Sequence, residues 1–213
     1  IGIVLPDRAA LLARLERVRP RLEGTRFGWR AHPRHVDVTC PWGNTFRVHE
    51  PEAQFGAMAL GMPYVEFDVP RGTADGIARF YRDIIGAPAT VSAERAERAG
   101  RLATVAAGIG QSLRFRETKA TLPAYDGHHV QVYVADFSGP HRRLLERGLV
   151  SEESDRHQYR FLSLVDPADG RKLYEVEHEV RSMRHPLYAR PLVNRNPAQS
   201  NMAYMQGHDA LPV

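Results

Sequence analysis

Apolar and polar side chains alternate along YVEFDVP, Tyr64 to Pro70: Val65, Phe67 and Val69 fall on one face, Tyr64, Glu66 and Asp68 on the other. Period two with one apolar and one polar face predicts a strand packed on one side. The spacing then changes. In GTADGIARFYRDIIG, Ile77, Phe80, Tyr81 and Ile84 recur at helical intervals and Gly86 ends the run, as a helix with one buried stripe requires. The same order returns in HVQVYVADFSGPHRRLLERG. Here Val130, Val132 and Val134 form the apolar face and His129, Gln131 and Tyr133 the polar one. Ser138 stands at the N-cap position, Pro140 in the first turn, and Gly148 at the end. At the N-terminus, IGIVLPDRAALLARLERVRPRLEG repeats the pattern, with Leu11, Leu15, Val18 and Leu22 on a stripe that stops at Gly24. The strand ends Leu5, Val69 and Val134 are 64 and 65 residues apart.

Further alternating segments follow each helix: HVDVTCPWGNTFRVHE, RLATVAAGIGQSLRFRE and QYRFLSLVDPADGRKLYEVEHE. CPWGN and DPADG have hairpin-turn chemistry, and GIGQ reads as a turn because it lacks the strand-to-helix setting of a dinucleotide loop. The pattern predicts an α/β (α+β) fold in which a βαβββ module occurs three times. One such module cannot close a core alone, so modules are expected to pair, curling into half-barrel sheets around a shared cavity. We assign 1–60 to an incomplete N-terminal module, 61–180 to the paired modules that form the active-site domain, and 181–213 to a C-terminal arm. The first module's counterpart of Tyr64 and His129 would fall just before Ile1, so its partner is expected from a unit ahead of Ile1 or from another subunit.

Composition narrows the chemistry. With 29 basic and 25 acidic residues the net charge is +4, and most of the charge lies in mixed runs such as ARLERVRPRLEG that suit solvated helix faces. The arginine-rich tail VRSMRHPLYARPLVNR lacks a nucleic-acid motif and reads as an arm over its own domain or a neighbouring subunit. No apolar run is long enough to span a bilayer. We expect a soluble, cytoplasmic homo-oligomer that binds a small molecule and neither nucleic acid nor membrane. One cysteine, Cys40, excludes an internal disulfide and a Cys-rich zinc cluster, so any metal needs His, Asp or Glu ligands.

Alternation also selects the inward residues: Tyr64, Glu66 and Asp68; Arg114 and Arg116; His129, Gln131 and Tyr133; Glu175 and Glu177. Arg47 and His49 of the first module face a separate cavity in this reading. In EVEHE, alternation sends His178 away from Glu177 and Glu179.

The module order and spacing, the HHVQVYVAD strand and the DPADGRKLYEVE hairpin resemble the vicinal oxygen chelate superfamily over about residues 1–180. That superfamily includes glyoxalase I, bleomycin-resistance proteins, methylmalonyl-CoA epimerase and extradiol dioxygenases. The resemblance implies a divalent metal held by the first and last strands of two paired modules, positions that fall on Tyr64, Arg114, His129 and Glu175. Arg114 stays protonated and is no ligand, so the implied set is His129 and Glu175 with Glu66 as the third, a set suited to Fe2+ or Mn2+. A lyase or isomerase would use Glu66 or Glu177 as base. An extradiol-type dioxygenase would find Tyr64 where its first histidine belongs, which leaves Glu66, Glu177 and Tyr64 as the catalytic candidates. Arg114, Arg116, Gln131 and Tyr133 are the substrate-binding candidates. The same residues also suit a metal-free binding or resistance protein whose cavity holds an anionic aromatic guest, and Glu175 can equally pair with Arg114.

Overall fold

The computed structural model describes residues 1–93, 100–188, 196 and 198. The chain divides into two compact units: Ile1–Arg82 with Ala87–Leu122, and Asp83–Gly86 with Pro123–Val213. Most of the C-terminal arm, including Arg190 and Arg195, and part of the SAERAERAGR segment lie outside the described residues.

The first unit holds two modules. One consists of β1 (Gly2–Val4), α1 (Arg8–Val18), β2 (Gly28–Ala31), β3 (His35–Thr39) and β4 (Thr45–His49); the other of β5 (Gly61–Pro70), α2 (Ala74–Phe80), β6 (Ala89–Ser92), β7 (Leu102–Gly108) and β8 (Gln111–Thr118). Their strands form one open, eight-stranded sheet in the order β2-β3-β4-β1-β5-β8-β7-β6. Among the described residues no sheet closes into a barrel. In each module the first strand runs parallel to the last, β1 with β4 and β5 with β8. The two modules join where β1 and β5 meet antiparallel. This seam corrects the expected pairing: the second module's sheet partner is the first module and not the third.

The third module forms a separate four-stranded sheet, β10-β11-β12-β9, from β9 (His129–Val134), α3 (Ser138–Leu145), β10 (Val150–Asp155), β11 (Gln158–Val165) and β12 (Lys172–Ser182). β9 again runs parallel to the last strand of its module.

The helices follow the apolar stripes, with two local differences. Asp7 caps α1 by accepting from the Ala10 amide at 2.8 Å, and Leu15 is buried against Val36 and Val48. The helix stops at Val18 and continues as a 3-10 turn over Arg19–Leu22, because Pro20 has no N–H to extend the α ladder. In α3 the expected Ser138 cap is replaced by Asp136, whose carboxylate accepts from the Gly139 amide at 2.9 Å. α2 starts at the buried carboxylate of Glu117, which accepts from the Ala74 amide at 2.9 Å, a favourable place for an anion. Ile77, Phe80, Tyr81 and Ile84 are all buried, as their spacing predicts.

Candidate functional site

β3 and β4 are amphipathic strands. Val36, Val38, Phe46 and Val48 pack beneath α1, so the period of two sends His35, Asp37, Arg47 and His49 to the opposite face. Register then brings His35 beside His49 and Asp37 beside Arg47. His32 precedes β3, and its amide donates to the His35 carbonyl at 2.8 Å. Arg8 of α1 fixes this turn from below by donating to the carbonyls of His32 and Pro33. The imidazoles of His32 and His35 consequently stack, with centroids 4.5 Å apart.

Asp37 is the hub. Its Oδ1 accepts from Arg47 Nε at 2.8 Å, while Oδ2 has a longer contact to the same guanidinium at 3.3 Å. Oδ2 also lies 3.3 Å from His32 Nε2 and 3.6 Å from His35 Nε2. His32 Nε2 is buried without an aligned hydrogen-bond partner, which is unusual for a polar atom. The candidate ligand atoms of His32, His35 and Asp37 all lie within 4.8 Å of one another. Two imidazoles and a carboxylate so placed can hold a divalent metal.

Electrostatics favour the ligand forms. Burial, then the charge of Arg47, lowers the pKa of His35, keeping the ring neutral. Burial opposes ionisation of Asp37, but the hydrogen bonds and charge of Arg47 outweigh it, and its pKa falls. Burial, followed by His35 and Arg47, lowers that of His49 as well.

A second group continues along the same face. The Tyr64 hydroxyl is 3.1 Å from His49 Nε2, although β1 runs between their strands. The reach is open because β1 has Gly2 opposite Tyr64: a Cβ there would sit 2.4 Å from the tyrosine ring. On the far side, the Arg114 guanidinium lies 3.8 Å from the Tyr64 ring centroid, a cation–π distance. Arg116 Nε donates to Glu66 at 2.9 Å.

Among the expected site residues, Tyr64, Glu66, Arg114 and Arg116 share this face of the first unit. Arg47 and His49 are on it too, not in a separate cavity. His129, Gln131, Tyr133, Glu175 and Glu177 belong to the second unit. There His129 is exposed opposite Glu177, Gln131 is exposed opposite Glu179, and Glu175 accepts from Lys172 at 2.9 Å. Glu177 and Glu179 share Arg160, and the Tyr133 hydroxyl accepts from Arg181 at 3.3 Å.

Glu66 belongs to the first unit and His129 and Glu175 to the second, and the candidate ligand group among the described residues is His32, His35 and Asp37. The implied set assumed that the second and third modules pair. With the seam at β1 and β5, the corresponding strands bring Arg47, His49, Tyr64 and Arg114 together instead, and two of these are fixed cations. His35 and Asp37 were readable from their alternation with Val36 and Val38. His32 was not, because a turn delivers it.

No protein-family model matches the chain, and no curated protein matches it significantly. Several solved structures do share its fold. A candidate dioxygenase from Bacillus subtilis is 16% identical with a TM-score of 0.50, and the match covers 85% of this chain and 60% of that one. Two glyoxalase I variants from Zea mays are 14% and 13% identical with TM-scores of 0.52 and 0.53, each match covering 85% of this chain and 66% of the other. The chain thus spans about three fifths to two thirds of the length of these structures. These likenesses show that the chain shares the fold of these solved structures. At such identities they define the fold and no particular family within it. Among the described residues no helix is long and apolar enough to cross a membrane.

Proposed function

We propose that this chain is a metal-dependent enzyme acting on a small oxygenated compound, with the ion held in the first unit by His32, His35 and Asp37. The observation that carries this reading is the convergence of two imidazoles and one carboxylate within 4.8 Å. His32 Nε2 is buried, lies 3.3 Å from Asp37 Oδ2 and makes no aligned hydrogen bond, so its lone pair can serve an ion. The donor set suits iron(II), manganese(II) or zinc. Once bound, such an ion supplies Lewis-acid stabilisation of charge on a substrate oxygen.

The chain's own residues do the remaining work. Arg47 holds Asp37 ionised, chiefly through Oδ1 at 2.8 Å, while Oδ2 is the oxygen that faces His32 and His35. His49, neutral at physiological pH, can accept a proton, and the Tyr64 hydroxyl at 3.1 Å can relay it. Glu66 is engaged by Arg116, so the proton-transfer role passes from Glu66 to His49 and Tyr64. Arg114, stacked on Tyr64, offers a planar donor to a carboxylate or phenolate group of the substrate.

Isothermal titration with manganese(II), zinc and, without oxygen, iron(II) tests the reading. One ion per chain is expected, with affinity at least about 100-fold weaker in Asp37→Ala and His35→Ala. A wild-type chain that takes up none of these ions sinks it. With the preferred ion bound, oxygen uptake on a catechol would assign ring cleavage, whereas turnover of an α-hydroxycarbonyl compound without oxygen uptake would assign isomerisation.

A metal-free binding function has an observation of its own, the two-point Arg47–Asp37 contact, which already neutralises the carboxylate. Saturable binding of benzoate in excess chelator, lost in Arg114→Ala, would favour that reading.

A further inference from the structure

The face that carries the candidate site changes character along β5. Period two puts Asp68, Glu66, Tyr64 and Met62 on it in turn. At one end Glu66 is paired with Arg116, and the surface is charged. Past Tyr64 it becomes apolar. Val4, Phe55 and Tyr64 form a buried cluster on which Met58 packs, and the Phe55 ring stands 4.9 Å from that of His49.

Beyond this cluster the apolar surface is open to solvent. Met62 is 44% exposed, Leu60 64%, and Ile109, in the turn between β7 and β8, is fully exposed. The turn is tied to this corner: Gln111 Nε2 donates to the Met62 carbonyl at 3.1 Å, and a Cβ on Gly110 would stand 3.7 Å from Met58 Cε. Of the six large apolar side chains exposed among the described residues, these are three. Such residues scattered singly are ordinary, but a group of them beside a polar site marks a binding surface. Arg114 stands at the boundary, its guanidinium 3.8 Å from the Tyr64 ring centroid.

We propose that the ligand of this face is an amphiphilic anion, with a carboxylate or phenolate head at Arg114 and an apolar tail laid over Met58, Met62 and Ile109. The inference rests on the proposed function for the position of the head and adds the tail. Two observations select a ligand tail over a separate partner. The apolar corner is continuous with the site through Phe55 and Tyr64, which touch both. The fixed charge of Arg114 complements an anionic head and lies where such a head would direct a tail toward the corner.

Isothermal titration of the full chain with benzoate, para-butylbenzoate and para-octylbenzoate, each below its micellar concentration, tests the proposal. The series is run with manganese(II) and again in excess chelator. Affinity should rise about twofold to fourfold per methylene, fourfold corresponding to full burial, until the tail outruns the corner. Met62→Ser combined with Ile109→Ser should remove most of that gain. Octyltrimethylammonium, with the same tail and a cationic head, should bind at least about tenfold more weakly than para-octylbenzoate. No gain with tail length in the wild type overturns the proposal, as does a gain that the double variant keeps. An octyltrimethylammonium ion that binds as well as the anion also overturns it, because the corner would then be an apolar surface for a membrane or another protein. The two conditions separate this inference from the metal reading. A chain that takes up no manganese(II) but keeps the gain in chelator retains the tail site without the ion, whereas one that binds the ion and shows no gain loses the tail site alone.

Discussion

In the first unit three imidazoles, those of His32, His35 and His49, lie on the polar face of the sheet beside Asp37 and Arg47. In the second unit His178 lies on the opposite side of its strand from Glu177 and Glu179, 1% exposed and stacked on Phe161 with ring centroids 4.3 Å apart. Its Nδ1 is 2.9 Å from the Val176 carbonyl. His35 and His49 sit on the last two strands of their module and His178 on the last strand of its own, and one residue of parity decides between chemistry and packing. On the polar face an imidazole keeps a carboxylate within reach. On the packed face it behaves as an aromatic ring that must stay neutral.

Acid should expose this difference most strongly. Burial lowers the pKa of His178 to about 4, whereas the unfolded chain takes up that proton near 6.5. Between those values the unfolded state binds more protons, so stability is full above pH 6.5 and falls as the pH drops toward 4. The loss from this group is about 3 kcal/mol. Urea unfolding of wild type and His178→Phe at pH 7 and pH 4.5 should show a much flatter pH dependence in the variant. Equal slopes would mean that the ring is not held neutral.

The next effect belongs to the first unit. Gly2→Ala should cost about 1–3 kcal/mol by overpacking, because the new methyl meets the Tyr64 ring. It should also weaken the contact between Tyr64 and His49, visible as a shift in the His49 titration by NMR. The smallest effect concerns the rim of the same unit. Arg34 pairs with Glu52 at 2.8 Å but is largely exposed, so Arg34→Ala should leave the urea midpoint almost unchanged. A larger loss would show that surface pairs hold this unit together more than its packed strands do.

Much of the fold was legible because it is local. Alternation identified the faces of β5, β8, β9 and β12, and the spacing of Ile77, Phe80, Tyr81 and Ile84 identified the buried stripe of α2 and of the π-helical turn, Tyr81–Ile85, that continues it. Turn chemistry located the hairpin at DPADG, where the Asp166 amide donates to the Arg171 carbonyl at 2.8 Å. The choice of partner was not legible. It depends on a three-residue strand, β1, whose contact with β5 rests on Gly2 and Val4 meeting Tyr64 and Gly61, and no periodicity can be read over three residues. The choice of partner also directed the reading of the site. With the second and third modules taken as a pair, attention fell on His129 and Glu175, and the cluster of His32, His35 and Asp37 in the first module went unread. His35 and Asp37 carried a readable signal, but His32 joins them only through the turn that Arg8 pins.

The missing side chain at Gly2 also bears on how the halves of the first unit find their alignment. β1 and β5 meet over very few residues, and a backbone ladder that short tolerates slippage. A slip by two residues along β1 would put Val4 beneath the Tyr64 ring, where its branched side chain leaves no room. Only the register with Gly2 there lets the tyrosine lie flat and reach His49. Tyr64 thus works as a gauge of assembly, and the hydrogen bond that builds the candidate site forms only when the two modules are correctly joined.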